Sequence, residues 1–190
     1  MRIVAGSLRG RALASPQHGG VRPTSDRVRE AVFNILAHGI DGFDIAGARV
    51  LDLFAGTGAL GLEAISRGAA YCLFVEQDGD ARALIRDNIE AFGLTGVTRI
   101  FKRDATDLGR ANPRDSGFTL ALCDPPYGKG LGEKALAAAI TGGWLAAGAV
   151  VVLEERADAE IALPAGVVAL DRRSWGDTQV VFGRYGGVGS

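Results

Sequence analysis

Arg49-Val-Leu-Asp-Leu-Phe-Ala-Gly-Thr-Gly-Ala-Leu-Gly61 decides how the chain folds. Val50 to Phe54 is an apolar run of strand length that enters a glycine turn. A helix from about Leu60 to Arg67 follows, stopped by Gly68. Gly56, Gly58 and Gly61 fit the spacing G-x-G-x-x-G, the fingerprint of a crossover unit that carries a nucleotide. Glu76 stands twenty residues past Gly56, at the end of a second apolar strand, Tyr71 to Val75. A carboxylate there can accept hydrogen bonds from both hydroxyls of a ribose. Up to this point NAD and S-adenosylmethionine are both permitted.

Asp52 separates them. A carboxylate on the strand leading into the turn repels a pyrophosphate, whereas S-adenosylmethionine brings a sulfonium and an ammonium group that Asp52 can help hold. Asp52 and the backbone of Gly56 to Gly58 are therefore assigned to the methionine part of that cofactor, and Phe54 is counted with its binding residues.

A second motif closes another apolar run, Thr119-Leu-Ala-Leu-Cys-Asp124, where Pro125 and Pro126 must stop the strand and Tyr127 follows. The turn presents a carboxylate, carbonyls without competing N–H groups and an aromatic face together. That set suits a flat molecule bearing an amino group: the ring stacks on Tyr127, while Asp124 and a proline carbonyl accept from the NH2. Asp104 and Ala105 follow a third strand, Val97 to Phe101, on the same C-terminal edge, where ligands of open α/β sheets bind. Asp104 either accepts from the amino group of an adenine or caps the next turn.

At 190 residues and net charge −1 the chain suits one buried domain with a small appendage. It carries no apolar run of membrane-spanning length, and its first residues lack the apolar core of a secretory signal. Cys72 and Cys123 fall in buried strands and read as core residues in a reducing cytoplasm. With only His18 and His38 besides, no metal site is expected. The charge is uneven: residues 1–29 hold six arginines against Asp26 alone, +5, which leaves −6 for the rest. A basic arm on an acidic body points to a polyanionic partner, or to a solvated cluster flanking a helix.

Strands and helices alternate, which implies a mostly parallel sheet covered on both faces. Arg2–Ala5 and Arg11–Ala14 suggest a hairpin, and Gln17–Gly20 a mobile loop. Thr24 or Ser25 caps a helix to about Ala37 with a stripe of Val28, Val32, Ile35 and Leu36. Asp78 caps another helix, whose Ala81, Leu84, Ile85, Ile89 and Phe92 share a face. A helix over about Gly132 to Ile140, a fifth strand Ala149 to Leu153, and a closing pair, Val167 to Arg172 and Gln179 to Arg184, complete the pattern. Residues 1–40 form an Arg-rich extension and 41–190 the main domain. Glu63 reads as a solvated or N-terminal-turn carboxylate, and the tail from Gly186 as frayed.

Together these residues resemble the bacterial 16S rRNA guanine-N2 methyltransferases that modify guanine 966. The similarity runs through Met1–Gly6, Arg9-Gly-Arg11, Val21–Leu36, Val50–Gly68, Val75-Glu76, Asp104-Ala105, Asp124–Tyr127 and Trp175-Gly-Asp-Thr178. Asp-Pro-Pro-Tyr alone is shared with adenine-N6 methyltransferases of DNA or RNA; Arg22-Pro-Thr-Ser-Asp-Arg-Val-Arg-Glu narrows the likeness. The resemblance implies a Rossmann-like class I S-adenosylmethionine-dependent methyltransferase, with a seven-stranded sheet whose last strand is antiparallel. It implies that Arg2, Arg9, Arg11, Arg22, Thr24 and Arg27 meet RNA, either 16S rRNA or the assembling 30S subunit. It also implies a cytoplasmic monomer without a membrane partner. Trp175 stands where Tyr is common and reads as hairpin packing.

In this scheme Glu76 and Asp104 grip ribose and adenine, and Asp124, Pro125, Pro126 and Tyr127 orient the target nitrogen. The arm supplies RNA affinity, so methyl-donor binding is expected not to need residues 1–20. The competing readings are an NAD-dependent oxidoreductase, an adenine-N6 methyltransferase, a protein glutamine-N5 methyltransferase and an RNA-binding protein without activity.

Overall fold

A computed structural model describes residues 1–16 and 25–187. Four helices, α1 (Asp26–His38), α2 (Ala59–Ser66), α3 (Gly79–Phe92) and α4 (Leu131–Thr141), alternate with strands of a single sheet. The strands are β1 (Arg49–Leu53), β2 (Tyr71–Val75), β3 (Thr98–Phe101), β4 (Phe118–Cys123), β5 (Leu145–Arg156), β6 (Val167–Trp175) and β7 (Thr178–Tyr185). Their order is β3-β2-β1-β4-β5-β7-β6. All neighbours run parallel as far as β5; β7 then enters antiparallel between β5 and β6. The order reverses at β1 and β4, and at such a switch point the loops beyond the strands part to leave a crevice.

Alternation along each strand feeds two cores. Val50, Cys72, Phe74, Leu120 and Val152 pack on one face with α1, α2 and α3, while Leu51, Leu73, Val75, Ala121 and Leu153 pack on the other with α4. Cys72 and Cys123 are buried free thiols, both pushed up chiefly by burial.

The element expectations hold with shifts of a residue or two, apart from β6, which runs three residues further to Trp175, and β5. That strand begins at Leu145, because Leu145 pairs with Phe118 across a bulge before Val150 pairs with Leu120. Its Ala-Ala-Gly segment is poor in strand formers, and the neighbouring strand recruits it. Ser25 caps α1, its hydroxyl accepting the Val28 N–H at 3.2 Å; Thr24 lies outside the described residues.

The N-terminal hairpin is a strap with a single bridge, Arg2 to Ala12, fastened by Ile3 N–H to Arg11 O (3.0 Å) and Gly10 N–H to Ile3 O (2.8 Å). Ile3 and Leu13 enter the core shared by α1, α2 and the sheet. Gly6 lies so close to the end of α2 that a Cβ there would sit 1.8 Å from Ser66 O, at a φ of +84°.

Glu63 is corrected from the solvated carboxylate expected. It is fully buried and accepts the N–H groups of Val4 (2.8 Å) and Ala5 (3.0 Å) and the Nε–H of Arg67 (2.8 Å). Arg29, counted above in the basic arm, is also fully buried, with its Nε 3.5 Å from Glu63 and its Nη2 bonded to Asp26 and to Arg2 O. A strap without a sheet neighbour has backbone N–H groups to satisfy, and the acid of α2 does so.

Candidate methyl-donor and acceptor site

A cavity of about 780 Å³ opens beyond the C-terminal ends of β1, β2 and β4. Phe54, Gly56, Glu76, Ala105, Asp124, Pro125, Pro126 and Tyr127 all line it, and the structure thus brings together eight of the eleven residues assigned to methyl donor and acceptor. Its volume lies within the range of small-molecule sites.

The glycine turn is built by backbone geometry. Phe54 holds a φ of +57°, the single non-glycine residue with positive φ among those described. Gly56 and Gly58 follow at +56° and +79°. An L-residue in that region is strained and persists where its surroundings fix it. Here Ala55 N–H bonds Val75 O at 3.1 Å and Gly58 N–H bonds Ala55 O at 2.7 Å. Glu76 fastens the rim: its two carboxylate oxygens accept the N–H groups of Gly56 (2.9 Å) and Asp78 (2.8 Å). Each oxygen keeps a further lone pair with which to accept from a hydroxyl.

Three residues of the expected set lie elsewhere. Asp52 is corrected from methionine ligand to anchor: it is 1% exposed beneath the turn and accepts the Gly61 N–H at 3.0 Å. Burial pushes its carboxyl up to about 7, against the lowering by that hydrogen bond, and Glu76 raises it further. Gly58 is buried under the turn as the N-cap of α2 and does not line the cavity. Asp104 turns away into an adjoining cleft with Gln77, Lys102, Arg103 and Asp107, accepting from both Thr106 N–H and Oγ1–H at 2.8 Å. Of the two readings of Asp104, the turn cap is the one with geometry behind it. Gly61 completes the fingerprint by close packing, since a Cβ there would fall 2.4 Å from Phe74 and 2.5 Å from Cys72.

On the acceptor side, Tyr127 donates its hydroxyl to Glu154, with Thr178 Oγ1 3.2 Å away. Gly128 N–H bonds Glu155 at 3.0 Å. The loop after β4 is thereby tied to the end of β5 and the start of β7. Burial, and then the Glu154 contact, push the phenol up. Trp175, the last residue of β6, packs against the core, as expected of hairpin packing.

The arm's charge is less available than its count suggests. Arg2 bonds Gly10 O at 2.9 Å. Arg11 bonds Ala91 O at 2.7 Å and lies 4.8 Å from the Phe92 ring centre. Arg9 and Arg27 are exposed; Arg22 lies, with Thr24, outside the described residues. The cavity also takes in Met1, Ser15 and Pro16, which the sequence reading passed over. Donor binding independent of residues 1–20 does not fit that geometry.

The family described as conserved hypothetical protein 95 matches residues 1–184. The chain is 37% identical over 158 residues to Ribosomal RNA small subunit methyltransferase D of Escherichia coli (strain K12), covering 83% of this chain and 76% of that protein. The solved structure of yhhF from Escherichia coli has 32% identity and a TM-score of 0.82, covering 98% of both chains. An RNA methyltransferase from Salinibacter ruber, solved in complex with S-adenosyl-L-homocysteine, shares the fold at 16% identity and a TM-score of 0.64, covering 87% of this chain and 94% of that one.

Proposed function

The chain belongs to the conserved hypothetical protein 95 family, and from that premise we propose that it transfers a methyl group from S-adenosylmethionine to the exocyclic N2 of guanine 966 in 16S rRNA. Methylation of ribosomal RNA is the activity in the name of its Escherichia coli relative. What supports transfer to an amino group on a flat base is one cavity holding both the glycine turn with Glu76 and the Asp124–Tyr127 loop; guanine 966 rests on the resemblance through Val21–Leu36. S-adenosylmethionine, when bound, supplies an electrophilic methyl on a sulfonium.

The chain's residues fit that cofactor. Glu76 offers paired carboxylate oxygens to a ribose, Gly56 leaves the turn open to close approach, and Phe54, Ala105 and Pro125 give apolar walls. On the other side, the guanine NH2 is a poor nucleophile because its lone pair is delocalised into the ring. Hydrogen bonds to Asp124 and a proline carbonyl favour a more tetrahedral nitrogen, and the Tyr127 ring sets the plane of the base. Alignment of this kind is worth up to about 7–11 kcal/mol of barrier. A paired base cannot reach the pocket, so the target is unpaired or flipped out. The protein acts as a cytoplasmic monomer on 16S rRNA or the assembling 30S subunit, with residues 1–40 contributing RNA contacts through Arg9 and Arg27, and with Arg22 and Thr24 in the same role.

The test is methyl transfer from labelled S-adenosylmethionine to naked 16S rRNA and to small-subunit assembly particles, followed by digestion to nucleosides. N2-methylguanosine at one position is expected. Label in N6-methyladenosine moves the function to the adenine reading, and an RNA that stays unlabelled on both substrates overturns it.

A further inference from the structure

Asn88 occupies the apolar stripe of α3, between Ile85 and Ile89, and is 2% exposed. A buried amide in such a stripe must satisfy donors and an acceptor. Its Oδ1 accepts the Ala14 N–H at 2.8 Å, and its Nδ2 donates to Thr57 O at 3.2 Å and to Ala14 O at 3.5 Å. One side chain thus takes the place of a neighbouring strand for the end of the strap. The same side chain grips the glycine turn from beneath.

The two residues beyond Ala14, Ser15 and Pro16, line the cavity, as does Met1, whose carbonyl receives the Leu13 N–H at 3.1 Å. Among the described residues this stretch is also held by Arg11, which reaches Ala91 O, by the Ser15 hydroxyl on Leu13 O at 3.2 Å, and by the buried Leu13. We propose that Asn88 is a positioning residue for methyl-donor binding: it clasps the strap to the glycine turn, so that Met1, Ser15 and Pro16 form one wall of the donor cavity. The inference rests on the reading of that cavity as the S-adenosylmethionine site. It gives the strap a part in cofactor binding, in addition to any contact that Arg9 makes with RNA on its outer side.

The experiment measures S-adenosylhomocysteine affinity by calorimetry, KM for S-adenosylmethionine, kcat and melting temperature, in wild type and Asn88→Ala. A weakening of affinity and a rise in KM of about tenfold, the equivalent of one net hydrogen bond, with kcat within about twofold, are expected. A residue that only packs would lower the melting temperature and leave KM alone. Ala14→Pro, which deletes the N–H accepted by Asn88 without touching a cavity side chain, gives the same readout should Asn88→Ala not fold. Wild type that binds S-adenosylhomocysteine while the folded variants bind it equally well overturns the clasp alone. Wild type that binds none removes the donor site and the clasp together.

Discussion

Tyr127 and Glu154, twenty-seven residues apart, are joined by a hydrogen bond from the phenol to the carboxylate. The bond fixes the ring of the acceptor loop to the end of β5, and Glu154 is 6% exposed. On the proposed reading, a ring held at its far end is set in plane before the base arrives, which is the ordering that in-line transfer requires.

Tyr127→Phe should therefore keep the aromatic face and lose its anchor. Unfolding in denaturant should show a loss of about 1–3 kcal/mol, as a buried acceptor gives up a donor. Methyl transfer should fall less than in Tyr127→Ala, which loses the face as well. Equal activity of the two variants would remove ring stacking from the mechanism.

Asp124→Ala should lower methyl transfer by about a hundredfold or more while S-adenosylhomocysteine binding persists, the scale expected when a positioned polar group is lost from a transition state. Asp124→Asn, which keeps an accepting oxygen, should retain more activity. A fully active alanine variant would sink the role given to the carboxylate.

Glu76→Ala should weaken S-adenosylmethionine binding by about 1.5–3 kcal/mol, the range for hydrogen bonds to charged groups. The rim should also loosen, since Gly56 and Asp78 lose their acceptor. Calorimetry reads the first effect and amide exchange at Gly56 the second. Unchanged affinity in a folded variant refutes the ribose contact.

Glu63→Ala should be among the most damaging changes outside the cavity. It leaves the Val4 and Ala5 N–H groups and the Arg67 Nε–H without their acceptor, and it takes a carboxylate from beside the buried Arg29 guanidinium, which keeps Asp26. Breaking one side of a buried ion pair costs about 3–5 kcal/mol, and denaturant unfolding measures it. A loss under about 1 kcal/mol would mean that water reaches the cluster.

Asp52 makes stability depend on pH. Its folded-state carboxyl titrates at about 7 against 3.8 as the ordinary value, so between these the folded chain binds more protons than the unfolded one. The contribution is full below about pH 4, falls as pH rises and is gone above about 7. Asp52→Asn, whose amide oxygen still accepts from Gly61, removes the linkage. The stability difference, variant minus wild type, should grow across that window by up to about 4 kcal/mol, at 1.36 kcal/mol per pH unit, and stay flat above it. Parallel pH profiles from urea unfolding would show that Asp52 is ionised throughout.

Much of this molecule is written locally, and what is local was legible. The strand–turn–helix at Arg49–Gly61, the Asp78 cap and the stop at Pro125-Pro126 each follow from spacing and backbone chemistry within a few residues. Glu63 and Asn88 were not legible because their partners lie 59 and 74 residues away, on a strap with little regular structure. A polar residue inside an apolar helical stripe, as Asn88 is, was the available signal. Asp52 shows a different limit: the sequence placed the carboxylate correctly at the turn but could not tell that its side chain points down into α2 and not up into the cavity. The same holds for β5, whose first residues become strand only through pairing with Phe118.

The entry of β7 between β5 and β6 has a consequence for biosynthesis. Until residues 178–185 have left the ribosome, β5 has no partner on that side, and β6, emerging earlier, cannot take its final place. Thr178, the third member of the Tyr127 hydroxyl contact, also arrives only then. A stalled or prematurely terminated chain therefore presents a bare, apolar strand edge of the kind that pairs with other chains. Quality control would meet it as an unfinished sheet, and in a partly translated copy the loop after β4 would hold to β5 alone, without the Thr178 contact.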